Sequence, residues 1–166
     1  MQTTSAPTLA TRVLTILLAL GAGLIGTALW AHGGDAKTPG ELAVRYRHAL
    51  YTAIGWNIGQ MRGLLDAKET DFDRARFRRH AEHVAALAPL LPEAFPADSN
   101  LPGKTAAKPA VWSDSADFTQ RLQTFASSAQ SLAQLAASGS QTQLGPAFKD
   151  LTGQCKGCHD KYRQEE

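Results

Sequence analysis

The stretch CKGCHDKYR, Cys155 to Arg163, contains both cysteines of the 166-residue chain. Leu144, Phe148, Leu151, Cys155, Cys158 and Tyr162 recur at steps of three and four, which predicts a helix from about Thr142 to Arg163. On that helix Cys155 and Cys158 stand at i and i+3. His159, at i+4 from Cys155, shares their inward face. A zinc site needs four ligands, and the other histidines, His32, His48, His80 and His83, form no second Cys/His cluster. A thioredoxin-like pair belongs in a βαβ context, which is absent. A disulfide within one helical turn is geometrically poor. The remaining chemistry uses the histidine directly after the second cysteine, because C-x-x-C-H is the attachment signature of c-type haem. The two thiols add to the vinyl groups as thioethers and the imidazole is delivered to the iron. One motif predicts one covalent haem c. His159 is its axial iron ligand, with the other ring nitrogen donating to a neighbouring acceptor. Arg163, one turn on, has two compatible readings: a cation beside the proximal side of the ring, or a C-terminal charge that suits the helix dipole.

Working outward from this helix, the rest of residues 37–166 is also helical in pattern. Ala43, Arg47, Leu50, Ile54, Ile58, Met61 and Leu65 give one face of a first helix, from about Pro39 or Glu41 to Ala67. A second helix starts near Asp71, with Phe77, Ala81, Val84 and Leu87 inward, and Pro89 ends or kinks it. The Pro-rich segment Leu91 to Val111 is a long connection that lets two helices run parallel or covers a site. A third helix opens at WSDSADF, where Ser113 or Asp114 can cap it, and carries Phe118, Leu122, Phe125, Ala129, Leu132 and Ala136 to a stop at Gly139. No alternating strand pattern of useful length occurs. The fold expected is all-α, a four-helix bundle.

Composition sets the outer limits. Hydrophobic residues make up 43% and the formal net charge is +2. The chain can therefore bury a core, and nucleic acid is a poor partner. The densest basic run, RARFRRH (Arg74 to His80), alternates with apolar positions and reads as the solvated face of a helix. Residues 1–36 read as a targeting segment. Arg12 precedes the uncharged run Val13 to Ala31, which is longer than the usual signal core of about 7–15 residues and approaches the ~20 of a membrane span. A cleaved signal, cut after Gly33 or Ala36, and an uncleaved inner-membrane anchor through residues 13–31 are both open. Both place residues 37–166 in the periplasm.

A sixth iron ligand is not demanded. After the leader, Met61 is the one methionine left, and it falls on the core stripe. His80 and His83 lie among charges and read as surface residues. His48 follows Arg47 and could reach a haem propionate or be simply solvated.

CKGCHDKYR near the C-terminus, AVRYRHAL (Ala43 to Leu50) and PAVWSD (Pro109 to Asp114) together resemble cytochrome c′ over about Lys37 to Gln164. The resemblance implies an antiparallel four-helix bundle with one covalently attached haem c. It also implies five-coordinate, high-spin iron and, usually, a homodimer. It assigns Cys155 and Cys158 to the haem, His159 to the iron, Arg47 to a propionate at the haem edge and Arg163 to the proximal side. Tyr51, one turn after Arg47, falls where the family places a bulky residue over the iron. There a hydroxyl could bond a bound ligand; otherwise Tyr51 is a core or interface aromatic. Lys104 or Thr105 are candidates for further propionate contacts. Two functions remain open: binding of small gaseous ligands such as nitric oxide and carbon monoxide, or one-electron transfer. No acid–base constellation suggests an enzyme. Trp56 and Tyr46, off the main stripe, are candidates for the dimer face.

Overall fold

The structure is a computed structural model that describes residues 38–164. The expected leader, its cleavage sites and the apolar run 13–31 lie outside the described residues. Four long helices dominate: α1 (Pro39–Leu65), α2 (Arg74–Leu87), α3 (Ser115–Ala136) and α4 (Gln141–Tyr162). Among the described residues there is no strand beyond an isolated antiparallel bridge between Ala107 and Arg163, and no helix is long and apolar enough to cross a membrane.

Local chemistry sets the helix starts. Thr38 and Glu41 form a reciprocal capping box on α1, with Pro39 at the first helical position, where a missing amide is harmless. Asp73 accepts from the Arg76 amide, so α2 begins three residues later than Asp71 suggests. Ser140 and Gln143 form a second capping box on α4. The expected cap on α3 is not made. Asp114 occupies the N-cap position without bonding the free amides, and its carboxylate instead accepts from Lys161 at 2.6 Å. Pro89 acts as expected: α2 ends at Leu87 and the chain tightens into a 3₁₀ segment, Ala88–Ala94. The chain turns after α3 at Gly139, whose amide donates to Leu135 O at 2.8 Å; a Cβ there would lie 2.8 Å from that same oxygen.

The buried faces follow the predicted stripes. Leu50, Ile54 and Met61 of α1 pack with Phe77, Ala81 and Val84 of α2, with Phe118, Leu122, Phe125, Ala129, Leu132 and Ala136 of α3, and with Leu144, Phe148 and Leu151 of α4. Fully burying each large apolar side chain contributes about 1.5–3 kcal/mol. α2 packs on α1 and α3, and α3 packs on α4. α1 and α4 barely touch, which leaves room between them.

Two polar anchors frame that gap. The first is Arg47, 6% exposed, on α1. Its Nε and Nη2 donate to Ala94 O, its Nη2 also to Ser99 Oγ, and its Nη1 to Thr105 Oγ1 at 2.7 Å. The guanidinium lies 4.2 Å from the Phe95 ring centroid, within cation–π range. One side chain thus ties the whole connection after α2 to α1. Gly40 allows the close approach, since a Cβ there would meet Asp98 O at 2.2 Å. The far end of the connection is pinned to α4: Lys108 N donates to Tyr162 O and Gln164 N to Ala106 O. The second anchor is Asp117 on α3, which accepts from Arg121, Lys161 and Tyr162.

Arg47→Met is expected to lower the unfolding free energy of the haem-loaded protein by roughly 2–4 kcal/mol, since it leaves the buried Ala94 O without its two donors and removes the bonds to Ser99 Oγ and Thr105 Oγ1. Urea denaturation checks this, and a loss below about 0.5 kcal/mol would contradict the anchoring role. Hydrogen bonds, first from Arg121 and then from Tyr162 and Lys161, hold the Asp117 carboxyl well below the usual carboxylate range. A folded-state pKa lowered in this way contributes stability that is fully present above the unfolded value of about 3.9 and lost as pH falls below it. The melting-temperature gap between the native protein and Asp117→Asn should therefore be flat from pH 8 to about 5 and shrink in stronger acid. A gap that widens in acid would reverse the sign.

Candidate functional site

The gap between α1 and α4 is a cavity of about 560 Å³, within the usual range of roughly 300–1,000 Å³ for small-molecule sites. Cys155, Cys158 and His159 line it from α4, and Arg163 lines it just past the helix end. Arg47, His48 and Tyr51 line it from α1, with Ile54 and Ile58 deeper along the same face. α3 contributes Phe118, Leu122 and Phe125, and the long connection contributes Lys104 to Ala107. Every site residue expected from the sequence therefore borders one cavity. The helical spacing of the motif puts both thiols and the imidazole on its wall, and the two cysteines are not joined to each other.

The donor set fits a haem. The walls are mainly apolar and aromatic, suited to a flat macrocycle. The charged residues of the lining are Arg47, Lys104 and Arg163, with no Asp or Glu among them, and that charge balance suits a ligand carrying two carboxylates. Burial pushes both thiols up. Desolvation first, and then Arg163, pushes His159 down, which favours the neutral imidazole that binds metals. Burial, and next the Cys158 thiol, raises Tyr51 well above the ordinary tyrosine range, so its hydroxyl keeps its proton. Tyr51 packs edge-on against Phe95 at 6.4 Å and is 38% exposed.

Some expectations change. Arg47 stands at the cavity edge, but four of its five N–H donors are already used on the connection, which leaves one on Nη1 for a carboxylate. Lys104 is paired with Glu41, and Thr105 accepts from Arg47. His48 is exposed on the cavity lining. Met61 is 0% exposed and lies outside the lining, so it packs the core. His80 and His83 are more than solvated surface residues. The Nδ1 atoms of both reach Asn57 Oδ1, at 2.9 and 3.1 Å. Asn57 Nδ2 donates to Ala53 O, so its oxygen must accept and both histidines donate from Nδ1. Asn57 was missed because a hydrophobicity count passes over it, although it falls between Ile54 and Met61 on the buried stripe. Leu91, Phe95, Val111 and Gln154 of the lining were also missed. Phe95 and Leu91 lie in a segment without regular period, which no helical or strand template flags.

A family model described as Cytochrome C′ matches residues 42–163. A cytochrome c′ of Pararhodospirillum photometricum is 41% identical over 124 residues, covering 75% of this chain and 98% of that protein. Among solved structures, a cytochrome c′ with ligand-controlled dimer dissociation superposes with a TM-score of 0.71 at 28% identity, covering 78% of this chain and all of the other. A ferrous cytochrome c prime variant of Alcaligenes xylosoxidans with bound NO gives a TM-score of 0.69 at 30% identity, covering 76% and 97%. The bundle, the C-terminal C-x-x-C-H helix and these similarities agree: the chain belongs to the cytochrome c′ family of haem c proteins.

Proposed function

We propose that this protein binds small diatomic gases, nitric oxide and carbon monoxide, at a five-coordinate, high-spin haem iron in the periplasm, and that it is not an enzyme. The observation that carries the reading is the wall formed by α1. Tyr51 stands there, while Met61 is committed to the core and His80 and His83 to Asn57. When bound, haem supplies an iron centre that takes diatomic ligands and exchanges one electron. Cys155 and Cys158 would hold it by thioethers, and His159 would give its neutral imidazole to the iron. Arg163 lies beside His159, and Arg47 offers its remaining N–H at the cavity edge. Tyr51 lines the same cavity from α1 and would cover the haem face opposite His159. Its ring excludes bulky ligands and its protonated hydroxyl can donate to a bound diatomic. The apolar walls reject anions, because a charge entering them loses its hydration. The NO-bound structure of the Alcaligenes xylosoxidans relative supports nitric oxide as the ligand.

The alternative, one-electron transfer, is separated by a spectrum of the reduced protein with and without nitric oxide. A high-spin resting spectrum that changes on adding nitric oxide is expected. A low-spin six-coordinate resting state would overturn the gas-binding reading and direct attention to His48, the other histidine on the lining. Tyr51→Ala should speed carbon monoxide binding by roughly tenfold, which corresponds to removing about 1.4 kcal/mol of barrier. An unchanged rate would remove Tyr51 from the face opposite His159.

A homodimer through α1 belongs to the same proposal. Leu42, Tyr46 and Trp56 occupy one face of α1 and are exposed, Trp56 at 66%. The dimer described for a solved relative supports a second copy as the occupant. Sedimentation at micromolar concentration should give a dimer that Trp56→Arg converts to monomer; a monomer before substitution would refute it.

A further inference from the structure

His159 lies in the last turn of α4, three residues before the helix ends at Tyr162. Helix ends lose their hydrogen-bond partners and fray at little cost. An axial ligand at such a place needs an anchor beyond its own helix. That anchor is present on α3. Asp117 accepts from Tyr162 Oη at 2.5 Å, from Arg121 Nε at 2.7 Å and from Lys161 Nζ at 3.0 Å. Asp114 adds a second acceptor for Lys161 at 2.6 Å. The Tyr162 ring is 4% exposed and packs edge-on against Phe118, with centroids 5.0 Å apart. On the other side, Lys108 N fixes the Tyr162 carbonyl at 2.8 Å. Arg121 also reaches the motif itself: a Cβ added to Gly157 would lie 3.5 Å from its Nη1.

We propose that Asp117 is a positioning residue for the iron ligand, clamping the last turn of α4 so that His159 keeps its height and rotation toward the cavity. A helix advances about 1.5 Å and 100° per residue. Fixing Lys161 and Tyr162, two and three residues on, therefore fixes the His159 backbone. Asp117 acts through these side chains and touches neither iron nor ligand. The proposal rests on His159 as the axial ligand and is independent of which gas binds.

The test uses the haem-loaded, ligand-free ferrous protein. Resonance Raman reads the iron–histidine stretching band, and hydrogen exchange reads the Arg163 amide, which donates to the His159 carbonyl. Asp117→Asn keeps the shape and weakens three charge-assisted bonds. It should lower and broaden the stretching band and speed Arg163 exchange by roughly tenfold. Asp117→Glu should restore both in part, and Tyr162→Phe should shift both in the same direction by less. Val84→Ala is the control, since Val84 is buried on α2, which packs on α1 and α3; it should lower the melting temperature without moving the band. A band unmoved by Asp117→Asn, or moved equally by Val84→Ala, overturns the positioning role alone. Absence of any iron–histidine band in the unsubstituted protein overturns the ligand assignment and the clamp together. Failure to bind nitric oxide overturns neither.

Discussion

Three side chains of one helix must reach the same group from the same side, and the rest of the molecule is arranged around that requirement. A helix of 3.6 residues per turn brings Cys155, Cys158 and His159 onto adjoining lines of its surface. The group they serve is flat and large, so the facing helix cannot pack against them. α1 and α4 are accordingly held apart, and the bundle closes through α2 and α3 instead. Phe118, Leu122 and Phe125 of α3 and aliphatic side chains of α1 fill the walls, and the charged side chains of the lining are cations.

A bundle with one seam open loses the packing that would otherwise join its first and last helices. Polar anchors take over that task. Arg47 binds α1 to the connection at three separate positions, and the connection is then bound to the end of α4 through backbone hydrogen bonds. Burying a guanidinium is costly unless its donors are satisfied; here four bonds and the Phe95 face offset that cost. Asp117 joins α3 to α4 at the other side of the motif. Its three donors include the buried Tyr162 hydroxyl at 2.5 Å, which without it would keep only the longer 3.4 Å contact to Asp114. Asp114 gives up its expected role as a helix cap to serve the same cluster. The positive end of α3 still lies beside two carboxylates, so the electrostatic benefit of acid at a helix start is kept.

The helices were legible in the sequence because their buried residues keep a strict period. Phe118 to Ala136 on α3 and Leu144 to Tyr162 on α4 match the predicted stripes, and their boundaries fall within three residues of expectation. The motif was legible because its chemistry depends on adjacent residues. The connection was not. Ala94, Ser99 and Thr105 meet Arg47 only after the chain has turned several times, through 3₁₀ segments that leave no periodic trace. Asn57 was hidden for a related reason. A polar residue on an apolar stripe reads as a defect until His80 and His83, from another helix, are seen to satisfy it.

The sequence by itself determined the four helices, the face each one buries, and the C-x-x-C-H helix that carries haem c, because each of these follows from spacing along one segment. The partners of the charged residues were decided only by the tertiary structure. Arg47 was expected to face a propionate, and four of its five N–H donors meet the connection. Asp114 was expected to cap a helix and instead meets Lys161. A long or charged side chain can reach several partners from one backbone position. Which one it meets depends on elements far away in sequence, and those distances exist only once the bundle has formed.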